Sequence, residues 1–140
     1  MHLVLAANAE EGRAWVAEAT VDFALKTGAT VAVVCVDEVE LERLAPVPRS
    51  VFADRAAAAA AAAAAHLTAA GVQATSTVRS GLARDQILAF AEQEQADVIV
   101  VGASTRPAVA TRLLGSTPLA VVARSTRPVL VVTRPPDASG

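Results

Sequence analysis

The sequence predicts an α/β domain, a parallel β-sheet with helices on both faces. Three observations carry this reading. Short apolar runs alternate along the whole chain with longer segments whose apolar residues recur at helical spacing. The apolar runs are continuous Val, Leu, Ile and Ala, as in strands buried on both faces. Aromatic residues make up 3% of a chain that is 54% hydrophobic, so the core must be aliphatic, with alanine burying little area per residue. A length of 140 residues fits one domain, placed at residues 1–134 and followed by a flexible tail at 135–140.

The elements follow in order. Leu3 to Ala6 is a short apolar run that reads as the first strand. A helix is expected from about Ala9 to Thr27, with Asn8 and Glu11 spaced as in a capping box. Trp15, Val16, Ala19 and Phe23 recur at helical spacing and are expected to face the core. Lys26 in the last turn and Gly28 after it form a stop signal. Thr30 to Val36 is β-branched and apolar, a buried strand that carries the single cysteine, Cys35, as a small buried hydrophobe. Asp37 to Ser50, with Pro46 and Pro48, reads as a loop.

Phe52 to Ala70 contains the unbroken alanine tract Ala56 to Ala65 and is expected to be helical, because alanine has the highest helix propensity. His66, without a partner of metal-ligand or catalytic spacing, reads as a surface residue. Gly71 ends the helix. Val72 to Val78 alternates apolar and polar residues, as a strand at a sheet edge does, and Ser80 and Gly81 start a turn. Leu82, Ile87, Phe90 and Ala91 mark an amphipathic helix ending near Gln95. Asp97 to Val101 is a buried strand, and Gly102 to Gly115 a loop with room for a short central helix. Pro118 suits the first turn of a helix running to about Ser125. Pro128 to Val132 is the last strand. The β-α alternation implies right-handed crossovers in a parallel sheet.

Composition excludes several classes. One cysteine leaves no internal disulfide and no cysteine-based metal cluster. No signal-peptide pattern opens the chain and no apolar run reaches membrane-spanning length, so a cytoplasmic protein without membrane contact is expected. A net charge of −2 argues against a nucleic-acid partner. The charge is unevenly placed: Val98 to Pro136 holds no acid but holds Arg106, Arg112, Arg124, Arg127 and Arg134. That basic part is either an ordinary solvated surface or a phosphate-attracting lobe.

In a sheet of this kind ligands bind at the carboxyl ends of the strands, where the strand order reverses. The candidate loops follow the first strand (Asn8 to Glu11), the second (Val36 and Asp37) and the fourth (Gly102 to Thr117). The third of these is the most distinctive. Gly102 opens it directly from a buried strand, where glycine permits close approach of backbone to ligand. Gly115-Ser-Thr-Pro118 closes it at a helix start, where free N–H groups and the Ser116 and Thr117 hydroxyls suit a phosphate, although spacing alone favours a plain N-cap. The dinucleotide G-x-G-x-x-G pattern, the P-loop and the G-x-S-x-G elbow are all missing, and neither histidine has the context of a triad. No catalytic residue and no metal-ligand set is assigned.

Ala96 to Gly102, then Gly115-Ser-Thr117, then Arg127 to Val132 resemble the universal stress protein family. Nucleotide-binding members of that family carry a glycine, two residues, a glycine, nine residues, then glycine followed by Ser or Thr. Gly102, Gly115 and Ser116 stand at that spacing, with Thr105 at the middle position. Val78 to Gly81, Ile87 and Gly28-Ala29 are similar too, so the resemblance runs from Leu3 to Val132. It departs at Asn8, where ATP-binding members usually have Asp, and at Thr105. If that glycine takes φ > 0, β-branched threonine fits poorly there. Ser104, Thr105 and Arg106 would in turn offer donors to a phosphate.

The resemblance implies a single-domain Rossmann-like sheet of five parallel strands in the order 3-2-1-4-5. It implies ATP or AMP, with Mg, in a crevice that places adenine near Val36, ribose near Asn8 and Gly102, and phosphates near Thr105, Arg106, Gly115, Ser116 and Thr117. It also implies a homodimer formed through Pro128 to Val132, a short apolar edge that needs covering. The expected function is a stress-response protein that binds ATP or AMP without efficient turnover. The alternative is a nucleotide-independent homodimeric interaction module of the same fold, which the identities of Asn8 and Thr105 favour. A slow ATPase is the weakest reading, with Asp37 the nearest acid by chain position.

Overall fold

The computed structural model describes residues 1–8, 14–38, 49–103 and 116–134. The elements are β1 (His2–Ala7), α1 (Ala14–Thr27), β2 (Thr30–Glu38), α2 (Arg49–Ala69), β3 (Ala74–Gly81), α3 (Ala83–Gln93), β4 (Val98–Gly102), α4 (Ser116–Arg124) and β5 (Val129–Val132). The strands form one five-stranded sheet in the order β3-β2-β1-β4-β5, with every pairing parallel. This is the expected architecture.

Two core layers flank the sheet. On one face Leu3, Leu5, Val31, Val33 and Cys35 pack with Trp15, Val16 and Ala24 of α1 and with Ala56, Ala60 and Leu67 of α2. On the other, Val4, Ala32, Val34, Ile99 and Val101 meet Ile87, Phe90 and Ala91 of α3 and Val121 of α4. The central strands are buried on both faces, which is why β1, β2 and β4 read as continuous apolar runs. The alanine tract lies in α2, whose buried positions Ala56, Ala60 and Leu67 follow helical spacing. His66 is exposed and Cys35 buried.

Three helices end in one way. One or two residues past the end of α1, α2 and α3 the backbone turns into the left-handed region, at Gly28 (φ 70), Gly71 (φ 91) and Gln95 (φ 52). The next amide then bonds back five residues: Ala29 N–H to Ala24 C=O (3.0 Å), Val72 N–H to Leu67 C=O (2.9 Å) and Ala96 N–H to Ala91 C=O (3.0 Å). This is the Schellman termination, which satisfies carbonyls that the helix leaves unpaired. Each closing pair is apolar and buried, so the cap also seats the chain for the strand that follows.

The caps explain where boundaries differ from expectation. Val72 belongs to a cap, so β3 starts at Ala74 rather than at Val72 and runs through Ser80 to Gly81, where a turn was expected. On α1 the buried set is Trp15, Val16, Ala17, Thr20 and Ala24, while Ala19 and Phe23 are half-buried. Thr20 can be buried because its hydroxyl donates to the Val16 carbonyl at 2.8 Å. The expected start of α1 before Ala14, the capping pair at Glu11, a helix inside the 102–115 loop and the tail at 135–140 lie outside the described residues.

The amino ends of the strands are tied together by side chains. The His2 ring bridges the Thr30 hydroxyl (2.6 Å) and the Glu94 carboxylate (3.0 Å), and the His2 amide donates to Asp97 (2.7 Å). Arg127 reaches from the turn before β5 to the Ala96 carbonyl and to Glu92. The carboxyl ends of the strands lie on the opposite side of the sheet, whose order turns back between β1 and β4.

Candidate functional site

The chain leaves β1 towards β2 on one side and leaves β4 towards β5 on the other. The carboxyl ends of β1 and β4, which are adjacent, therefore open a crevice between two diverging connections. Asn8 follows β1 there and is exposed. Gly102 ends β4 and is half-buried, as is Val36 near the end of β2.

Strand lengths shape the crevice further. β1 pairs with β2 only up to Ala7↔Cys35, whereas β2 pairs with β3 as far as Glu38↔Gly81. The segment Val36–Glu38 therefore overhangs β1 and stands as a wall above Asn8. Successive residues of a parallel strand aim their amide and carbonyl groups at opposite neighbours. Thr30 N–H bonds towards β1, to the Met1 carbonyl (3.1 Å), and Val31 N–H towards β3, to the Gln73 carbonyl (2.9 Å). By that alternation the Val36 carbonyl and the Glu38 N–H both face the crevice, beyond the last β1 partner.

The β4 side obeys the same rule. Ile99 N–H bonds to the Pro128 carbonyl and Ala103 N–H to the Val132 carbonyl, both at 2.9 Å, so the main-chain groups of Gly102 face β1. The crevice is thus bordered by backbone hydrogen-bonding groups from two strands. α4 begins at Ser116 with Thr117 and Pro118 in its first turn, and a right-handed crossover from β4 to β5 starts its helix at this end of the sheet. Thr117 is half-buried.

The structure therefore brings Asn8, Val36 and Gly102 to one crevice, with Ser116 and Thr117 heading a helix at the same end. Thr105, Arg106 and Gly115 lie outside the described residues. The sequence reading named Val36 and Asp37 as a candidate loop but ended the strand at Val36 and left Glu38 out, because acids are poor strand formers and the apolar run stops there. Among the described residues no group of three or more His, Cys, Asp or Glu side chains has a metal-binding arrangement. No helix among them is long and apolar enough to cross a membrane.

A parallel sheet in this order, with β4 and β5 running through the positions of the Ala96–Gly102 and Arg127–Val132 motifs, invites comparison with known proteins. The family model described as the universal stress protein family matches residues 1–133. The chain belongs to the universal stress protein family.

Universal stress protein G of Shigella flexneri is 46% identical over 55 residues, which is 39% of this chain and 38% of that protein. The chain's match thus spans well under half the length of this curated relative. Among solved structures, a universal stress protein from Archaeoglobus fulgidus superposes with a TM-score of 0.74 at 18% identity, covering 94% of this chain and 96% of that one. A universal stress protein in complex with cAMP superposes with a TM-score of 0.70 at 21% identity, covering 95% and 96%. The Archaeoglobus fulgidus protein in complex with dAMP gives 0.69 at 18% identity, covering 94% and 95%. At these identities the superpositions establish the fold, while the family match covers nearly the whole chain.

Proposed function

We propose that this universal stress protein binds an adenine nucleotide, ATP or AMP, in the crevice between β1 and β4 and does not turn it over efficiently. The observation that carries the reading is the backbone border. The Val36 carbonyl and Glu38 N–H offer an acceptor and a donor side by side, and adenine's exocyclic amine and ring N1 are the complementary donor and acceptor. Gly102 lets the ribose approach β4 closely, with Asn8 on the crevice floor. Phosphates would extend towards the first turn of α4, where Ser116 and Thr117 head a helix with free amides. Two fold neighbours carry adenine nucleotides in their solved complexes, which supports the ligand class.

Thr105, Arg106 and Gly115 are proposed to complete the phosphate contacts. Mg would act through the phosphates of ATP rather than through a protein cage. Thermal unfolding with AMP, ATP and cAMP, each with Mg and with chelator, tests the reading. A ligand at one hundred times its dissociation constant adds about 2.7 kcal/mol to the folded state. The midpoint should rise with adenine nucleotides, and no shift at millimolar concentration would refute it.

A second reading, an interaction module that works as a homodimer, is favoured by one specific feature. β5 is a sheet edge whose residues Val129 to Val132 are all only half-buried, and Leu119 and Val122 of the adjacent α4 are exposed. An apolar edge strand with free backbone groups is a template for pairing with a second copy. A β5-to-β5 dimer would leave the nucleotide crevice accessible, so the two readings are compatible. Light scattering on a size-exclusion column tests the second reading: a dimer mass is expected, and a monomer mass would refute it.

A further inference from the structure

Asp37 has the most unusual setting of any charged side chain among the described residues. It is 3% exposed, and of the buried side chains described only Thr20 is also polar. Both carboxylate oxygens are shielded from water. Removing a carboxylate from water is costly, so a fold retains such a group where the protein itself holds it. Its place in β2 shows what is held. Asp37 shares strand parity with Val31, Val33 and Cys35, whose side chains enter the layer beneath α1 and α2. Its backbone is paired in register with Ser80 of β3. It also stands between the two groups that border the crevice, the carbonyl of residue 36 and the amide of residue 38.

We infer that Asp37 is the positioning residue of the base-reading edge: its buried side chain fixes the overhanging wall of β2 so that Val36 and Glu38 present their acceptor and donor in one plane. The inference rests on the adenine-nucleotide reading and deepens it by assigning the base selectivity of that site. β1 cannot steady this wall, because its last partner in β2 is Cys35. Among the described residues no strand neighbours the wall on the crevice side, and β3 pairs with it along the other edge. A side chain anchored in the helical layer supplies a third point of attachment, at right angles to the sheet.

The consequence is selectivity and not affinity alone. Guanine carries an acceptor where adenine carries its exocyclic amine, and a ring N–H where adenine carries a bare N1. A wall held in register therefore accepts adenine and rejects guanine, whereas a wall free to twist loses the distinction.

The test measures AMP and GMP binding by titration calorimetry for the wild-type chain, Asp37→Ala and Asp37→Asn, with circular dichroism confirming the fold. Wild type should prefer AMP, Asp37→Ala should lose about tenfold or more of that preference, and Asp37→Asn, which keeps shape and one acceptor, should recover part of it. Should Asp37→Ala not fold, the loss is read from Asp37→Asn, which must then fall below wild type. A folded Asp37→Ala that weakens AMP and GMP equally would mean a merely structural role and would overturn the inference while leaving the nucleotide site standing. Wild type that binds AMP and GMP alike would do the same. Wild type that binds neither nucleotide would remove the site and the inference together.

Discussion

Replacing Gln95 by glycine should stabilise this protein, although it deletes a side chain and adds none. Gln95 occupies the left-handed position of the cap after α3 at φ 52, where α1 and α2 use glycine. A residue with a Cβ pays roughly 1–2 kcal/mol to sit there. Glycine removes that strain but loses roughly 0.5–1 kcal/mol to the greater freedom of the unfolded chain. Gln95 is exposed, so little packing is lost. The net gain is about 0.5–1 kcal/mol.

With about 2.1 cal/mol/K of unfolding entropy per residue, a chain of 140 residues gains about 2–3 °C in melting temperature. The reverse changes, Gly28→Ala and Gly71→Ala, should each lower it by a similar amount. At both sites an added Cβ meets nothing within 4 Å, so any loss reports backbone strain and not a clash. Differential scanning calorimetry on the three variants gives the answer. A Gln95→Gly protein that melts lower than wild type, or alanine variants that melt unchanged, would refute the account of the caps.

Other outcomes follow from the packing and the edges. Leu67 is fully buried beside alanines too small to refill its space, so Leu67→Ala should cost about 3–5 kcal/mol, seen as a fall of about 10–17 °C in melting temperature. Arg127→Ala should release the turn before β5 from α3 by removing its bonds to the Ala96 carbonyl and Glu92. Faster amide exchange at Ile99, which bonds to Pro128 in that turn, would reveal it. Val131→Lys on the β5 edge should abolish the proposed β5-to-β5 pairing, read as a monomer mass in light scattering, without unfolding the chain, since Val131 is half-buried.

The fold was legible because its signals are redundant. β2 announces itself as Thr30 to Val36 in β-branched residues, and Gly28 and Gly71 mark helix ends that the backbone does adopt. The alanine tract was readable as a helix from propensity alone. What remained hidden depends on neighbours in space. The end of α3 near Gln95 was expected, but nothing local says that Gln95, which is not a glycine, takes the left-handed position of the cap. Val72 looks like the first residue of a strand but is drawn back onto Leu67.

At the site the motif spacing pointed to Gly102, Ser116 and Thr117, and the first loop to Asn8. Asp37 was placed in a candidate loop and Glu38 was passed over, because two acids after an apolar run read as the start of a loop and not as strand. Their strand character comes from pairing with Ser80 and Gly81, which are equally poor strand formers. The crevice wall is thus a product of register, which no single segment of sequence displays.

Residues far apart in the chain border one crevice, which is proposed to take adenine nucleotides. Amide chemical-shift mapping of a 15N-labelled sample titrated with AMP tests it most directly. The account predicts that the amides of Asn8, Glu38, Gly102 and Thr117 shift together with one dissociation constant. No shift at millimolar AMP, or shifts confined to the far end of the sheet around Gly28 and Gly71, would contradict it.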